Sequence, residues 1–304
     1  MRPTLRQLQY IVTVAETGRI GTAASRLNVS QPSLSAQLAE VEADLGVTLF
    51  MRGRSGAVIT AAGEEVVRRA RRLLRDHQDL RSAARGGGIF HGRLRLGVLP
   101  SLGPYLLPNA VRRLHQEHPE FRLVVREEGT RELDERLRNG QLDMIISTPE
   151  DHPGTRRSSL FRESFWVALT LDNPLAAEHG PIGLPELKGQ IFLTLGQNHR
   201  LSHTVAALAQ EAGGFVSDEY EGTSLDAIRL MAATGSGVAI LPQIYALTEA
   251  KRSPDIVLRK LVADENDREI SLIEPPHPDV RPGSDELIGI LRSEAKQMLS
   301  EGRV

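Results

Sequence analysis

Four polar residues able to read DNA bases, Gln31, Ser33, Ser35 and Gln37, crowd the start of one predicted helix. Glutamine can pair bidentately with adenine, serine can bond several bases, and Ala36 among them can touch a thymine methyl. They lie off an inner stripe of Leu34, Leu38, Val41 and Leu45, near the helix N-terminus. Ser30 is a good N-cap, and Pro32 falls in the first turn, where its missing N–H is harmless. Upstream, Ala23, Ala24 and Leu27 share one face of a short helix that Asn28-Val29-Ser30 interrupts, with Val29 as a plug between the helices. Helix, tight turn and helix in this order is a device for placing one helix end in the major groove. An ordinary helical hairpin within a core is the alternative reading of the same residues.

The elements that must hold this helix follow directly. Gly46 ends it, and Leu49 and Phe50 return the chain to the core. Residues 51–60 read as a short two-stranded wing carrying Arg52 and Arg54 near its tip, placed to follow phosphates; a solvated loop is the plainer alternative. Charge divides the same way. Residues 1–85 hold 13 Arg, no Lys and 8 acidic residues, whereas the remainder holds 24 basic against 31 acidic. The overall charge of −2 hides this basic end and acidic body, the pattern of a nucleic-acid binder joined to a regulatory part. The length of 304 residues suggests about two domains.

These residues resemble the winged helix-turn-helix of LysR-type transcriptional regulators. The resemblance rests on Leu5, Leu8, Ala23-Ala24, Leu27, Ser30-Gln31-Pro32-Ser33-Leu34-Ser35, Gln37-Leu38, Glu42, Leu45-Gly46, Leu49-Phe50, Arg52, Thr60 and Gly63. It implies an α/β protein overall: a mostly α winged domain over 1–60, a linker helix and hinge over 61–88, and an effector domain over 89–304. The effector domain would resemble type 2 periplasmic binding proteins, with one subdomain over 89–164 and 268–304 and the other over 165–267. The expected DNA-facing set is Ala23, Ser30, Gln31, Pro32, Ser33, Ser35, Gln37, Arg52 and Arg54. The expected partners are double-stranded promoter DNA, further copies of the chain as a dimer of dimers, and RNA polymerase. No membrane partner is expected, and the chain is expected to be cytoplasmic, because Met1-Arg2-Pro3-Thr4 starts no signal-peptide pattern and no apolar run spans a bilayer.

Thr60 can cap a helix running to about Ala84. Val66, Ala70, Leu73, His77 and Leu80 recur along it at alternating four- and three-residue steps, a narrow seam suited to a partner helix and hence to dimerisation. Packing on its own domain is the competing reading. Arg85-Gly86-Gly87-Gly88 then marks a hinge.

From Arg93 the pattern alternates strand and helix, so a largely parallel sheet is expected. Strands are expected at 94–99, 122–127, 142–146, 165–171, 191–195, 237–241 and 268–273, with helices at 108–118, 131–139, 202–212, 224–233 and 284–300. In such sheets ligands bind at strand carboxyl ends near helix N-termini. The candidates there are Ser101, Leu102, Thr130, Arg131, His199, Arg200, Thr223 and Ser224. Ser101, Thr130 and Ser224 could equally serve as helix caps, and His199 as a structural hydrogen-bonding residue. Arg200 would pair a carboxylate, phosphate or sulfate, so a small anionic effector is expected; an exposed loop arginine is the alternative.

This half of the chain resembles the OxyR-like, peroxide-sensing branch of the family, through Gly103-Pro104-Tyr105-Leu106-Leu107-Pro108, His199-x-Leu201, Ala212-Gly213, Thr223-Ser224-Leu225, Gly235-Ser236-Gly237 and Leu241-Pro242. The resemblance implies a sensing cysteine between the His and the Leu and a second cysteine nine residues on. Arg200 and Ala209 stand there, and the chain has no cysteine. Neither residue can form a sulfenic acid or a disulfide. A regulator permanently locked in one state is therefore an alternative to an effector-controlled one, and a solute-binding protein a remoter one. No cofactor, metal or enzymatic activity is expected. The nine His are scattered, and His115 with His118 has no third ligand nearby in sequence.

Overall fold

A computed structural model describes residues 3–53, 56–84, 89–197, 199–263, 267–276 and 282–300. Arg54, Asn198 and the expected hinge at 85–88 lie outside them. The chain divides into two compact units, Met1–His91 with Arg138–Gln141, and Gly92–Leu137 with Leu142–Val304.

The first unit begins with α1 (Leu5–Thr17), α2 (Ile20–Arg26) and α3 (Gln31–Leu45), followed by β1 (Phe50–Gly53), β2 (Gly56–Ile59) and α4 (Ala61–Ala83). Thr4 and Gln7 cap α1 reciprocally, and left-handed Gly18 and Gly46 end α1 and α3. Ile11, Val14, Ala23, Ala24, Leu34, Leu38, Val41 and Leu49 form the buried core. Thr60 Oγ1 accepts the Gly63 N–H at 3.0 Å to start α4. Gly63 sits so close to the Leu49 carbonyl that a Cβ would fall 2.3 Å from it, so only glycine lets β1 and α4 approach.

The second unit continues with β3 (Arg93–Val98), α5 (Gly103–Glu117), β4 (Arg122–Glu127), α6 (Thr130–Arg138), β5 (Met144–Ser147) and β6 (Arg156–Thr170). Then come β7 (Ile182–Gly183), β8 (Ile191–Leu193), α7 (Arg200–Ala212), β9 (Phe215–Val216), α8 (Leu225–Ala233), β10 (Val238–Pro242), α9 (Gln243–Thr248), β11 (Ile256–Val262), β12 (Asp267–Glu274) and α10 (Ser284–Ser300). Strand order is β4-β3-β5-β12-β6-β10-β8-β9, with β11 pairing β6 and β7. β3 is parallel to β4 and β5, and β8 is parallel to β9 and β10. The expectation of a largely parallel sheet needs correction in the middle, where β12 runs antiparallel to β5 and β6, and β6 runs antiparallel to β10 and β11.

β6 explains that departure. Arg156–Ser164 pairs with β12, and the strand then changes partners, with Phe165–Ala168 against β10 and Trp166–Thr170 against β11. It starts nine residues before the expected Phe165. Its first half, RRSSLFRES, is too polar to read as a buried strand in sequence, yet it pairs with β12, and β6 packs against α10. β11 was not anticipated either. The helix expected from Pro108 starts at Gly103, with Pro104 in its first turn and Pro108 tolerated inside.

Candidate functional site

The first site is the exposed start of α3. Its elements are positioned from the inside, because Leu34, Leu38 and Val41 are buried and orient the opposite face outward. Leu45 extends that stripe by spacing but is exposed, since α3 ends there. Asn28, in left-handed backbone with φ 54°, makes the tight turn, and Val29 N–H bonds Ala24 C=O at 3.0 Å. Ser30 Oγ accepts the Ser33 N–H at 3.3 Å, capping the helix. Ser30, Gln31, Pro32 and Ser33 are exposed, and Ser35 and Gln37 are half-buried. The Gln31 Oε1 lies over Gly21, where a Cβ would stand 3.2 Å from it. Gln37 Nε2 donates to Glu40 Oε2 at 2.9 Å, which orients that amide. Ala23 is fully buried, so it has a packing role between the helices in place of the DNA contact expected of it.

Glu42 holds the wing. Its Oε1 accepts the Leu49 and Phe50 N–H groups at 2.7 and 3.1 Å, and its Oε2 faces Arg52 at 3.5 Å. Arg52 is exposed on β1. On α4 the expected seam divides. Ala70 is buried and Val66 partly so, both packing in the core of this unit with the unanticipated Val67. Leu73 and Leu80 are 52% and 68% exposed, and His77 is half-buried. The physical reason is that the first turns of α4 lie against α1, which takes the apolar edge before a second helix could.

The second site lies in the other unit, where β6 changes partners. A cavity of about 850 Å³ is lined by Thr148, Ser164, Arg200, Leu201, Lys260 and Arg268, among others. Arg200 is the one residue of the expected effector set on that lining. Its guanidinium bonds Asp151 Oδ1, joining the start of α7 to the 3-10 turn at Pro149–Asp151. That turn is well anchored: Thr148 Oγ1 donates to Asp151 Oδ2 at 2.5 Å. The buried His152 follows it, with Nδ1 3.0 Å from Asp134 Oδ1 and Nε2 2.9 Å from Ser147 Oγ. Ser147, His152 and Asp134 thus stand in nucleophile–base–orienter order. Ser147 is fully buried, so no substrate reaches its hydroxyl, and the trio serves to hold the turn.

Ser101 is buried and accepts from Arg268 Nη2 at 3.0 Å. Arg268 also grips Glu163 Oε1 through Nε and Nη2 at 2.9 and 2.7 Å, while Glu163 Oε2 accepts the Ile244 N–H at 2.9 Å. Sequence reasoning missed Arg268 and Lys260; a lone arginine at a strand start was the only trace of the former. Thr130 Oγ1 is buried with no hydrogen-bond partner. His199 precedes α7 and is half-buried; that burial lowers its pKa, opposed by the charge of Glu132. Other expected residues stand apart. Leu102 is fully buried and belongs to the packing, Arg131 is exposed and pairs with Glu135 at 3.2 Å, Ser224 caps α8 and Thr223 is exposed.

Comparison with known proteins covers both parts of the chain. Residues 5–64 match the bacterial regulatory helix-turn-helix protein, lysR family, and residues 87–296 match the LysR substrate binding domain. The chain is 32% identical over 291 residues to the DNA-binding transcriptional dual regulator OxyR of Escherichia coli K12, covering 95% of each. It is 29% identical over 293 residues to the HTH-type transcriptional regulator EstR of Acinetobacter baylyi, covering 95% of this chain and 96% of that one. Among solved structures, a full-length OxyR cysteine-to-aspartate variant from Pseudomonas aeruginosa matches with a TM-score of 0.75 at 31% identity, covering 96% of this chain and 97% of that one. A cysteine-to-serine mutant of Corynebacterium glutamicum OxyR with bound H2O2 matches with a TM-score of 0.65 at 27% identity, covering 99% and 95%. With a helix-turn-helix and a substrate-binding domain both matched in order along one chain, the protein belongs to the LysR family of bacterial transcriptional regulators and is homologous to its OxyR-like members.

Proposed function

We propose that this regulator reads promoter DNA with the start of α3 and answers to a small anion in the cavity beside Arg200, without a thiol switch. The observation that carries the DNA half is the capped, exposed Ser30–Ser33 segment on a helix whose other face is buried. Arg52 adds phosphate contact. Two copies joined through the exposed Leu73 and Leu80 would present two recognition helices, reading half-sites about 34 Å apart or multiples of that. On DNA from upstream of its own gene, Gln31→Ala weakens specific binding by about 1–3 kcal/mol and leaves random DNA unaffected. Arg52→Ala weakens both and lowers the salt slope by about 0.9. Equal losses on both DNAs from Gln31→Ala would remove its base-reading role.

The effector half is supported by the cations Arg200, Lys260 and Arg268 on one cavity, which Glu150, Glu211, Asp267 and Glu269 also line, and by the absence of cysteine from the sequence. Several curated relatives are named hydrogen peroxide-inducible genes activators; this chain lacks the thiol such chemistry would use. An incoming carboxylate, phosphate or sulfate takes the place of Asp151 on Arg200, and the exchange shifts the subdomains that this pair joins. A thermal-shift screen with small carboxylates, phosphate and sulfate tests this: a hit stabilises the wild type and not Arg200→Ala. A second reading rests on the same ion pair, which already closes the site internally. No hit, together with promoter binding insensitive to all these anions, would favour a locked regulator.

A further inference from the structure

The end of α5 and the start of α10 supply the third ligand that His118 lacks in sequence. His118 Nε2 lies 2.7 Å from Glu286 Oε1, across 168 residues of chain. Glu117, the last residue of α5, adds a second carboxylate, and the ligand atoms of all three groups lie within 4.8 Å of one another. We propose that Glu117, His118 and Glu286 form a binding site for a zinc-class divalent cation that fastens α10 to α5.

Three observations carry this. First, Glu117 is a carboxylate at a helix C-terminus, where the macrodipole is already negative. Second, a carboxylate oxygen of Glu117 and one of Glu286 both lie within 4.8 Å of the His118 ring nitrogen, so two acids converge on one imidazole. Arg113 donates to Glu117 Oε1 at 3.0 Å and offsets one of them; a divalent cation would satisfy both, and the imidazole too. Third, the donor set is one nitrogen and two carboxylate oxygens from three side chains. That set suits Zn²⁺, and Mn²⁺ more weakly, whereas Ca²⁺ prefers oxygen ligands throughout. Ligands on one zinc stand about 3.4 Å apart at bond lengths of ~2.1 Å, so rotamer changes of roughly 1 Å bring the trio into place. The side chains of Glu117, His118 and Glu286 are 44%, 31% and 34% exposed, which leaves room for water to complete the coordination.

The test is calorimetric titration of tag-free, EDTA-treated full-length protein with ZnCl2, repeated with MnCl2, alongside thermal unfolding. The expected result is about one Zn²⁺ per chain bound at micromolar Kd, weaker Mn²⁺, and a zinc-dependent rise in Tm. His118→Gln and Glu286→Gln each preserve a hydrogen bond between the two helices, so their zinc-free Tm stays close to the wild type while zinc affinity falls at least about tenfold. His115→Ala, on the same helix, leaves affinity unchanged. The proposal is overturned if no stoichiometric zinc binds below about 100 µM. It is equally overturned if affinity survives both glutamine variants, or if it is lost in His115→Ala and kept in His118→Gln.

Discussion

The start of α3 and the cavity beside Arg200 treat polar groups in opposite ways. Ser30, Gln31 and Ser33 stand exposed at a helix start, fixed by one local cap and ready for an external partner. Around the cavity the charges already answer one another: Arg200 meets Asp151, and Arg268 meets Glu163 and Ser101. A surface meant for a polyanion gains from open donors and needs no rearrangement on binding. Where Arg200 and Arg268 are already paired, an anion reaches their guanidinium groups only by exchange, and exchange is what couples binding to movement.

The sharpest way to break this contrast is in the core beneath α3. Leu38→Ala should lower the stability of the first unit by about 2–5 kcal/mol and abolish DNA binding, with the anion response of the second unit retained. Chemical denaturation followed alongside the thermal-shift response measures both. A joint loss would mean the two sites are not independent. Ser30→Ala removes the cap and should cost about 1 kcal/mol, read as a lower Tm and weaker promoter binding. The smallest effect concerns His199. Its burial lowers its folded pKa, so below about pH 6.5 the unfolded chain binds the extra proton first. Stability therefore declines as pH falls from there through the folded pKa, and His199→Gln should flatten that decline in denaturation curves taken between about pH 7 and pH 5. An unchanged slope would place the pH sensitivity elsewhere.

Legibility followed the same division. The capping of α3 by Ser30 and of α4 by Thr60 lies within three residues of each helix start, where sequence spacing is spatial spacing. The seam of α4 was legible as an apolar stripe but not in its allegiance, because Val66 and Ala70 turn to α1 and only Leu73 and Leu80 stay exposed. The polar half of β6 and the whole of β11 escaped notice because their burial comes from neighbours far along the chain.

By itself the sequence determined the family, the helix-turn-helix and its outward polar set, and the exclusion of thiol chemistry at position 200. These depend on residue identity and short-range geometry. Only the tertiary structure decided which charges meet. Arg200 finds Asp151 across 49 residues, Arg268 finds Glu163 across 105, and His118 finds Glu286 across 168. An ion pair is chosen by distance in space, and the packing of helices and strands far apart along the chain brings such remote groups together.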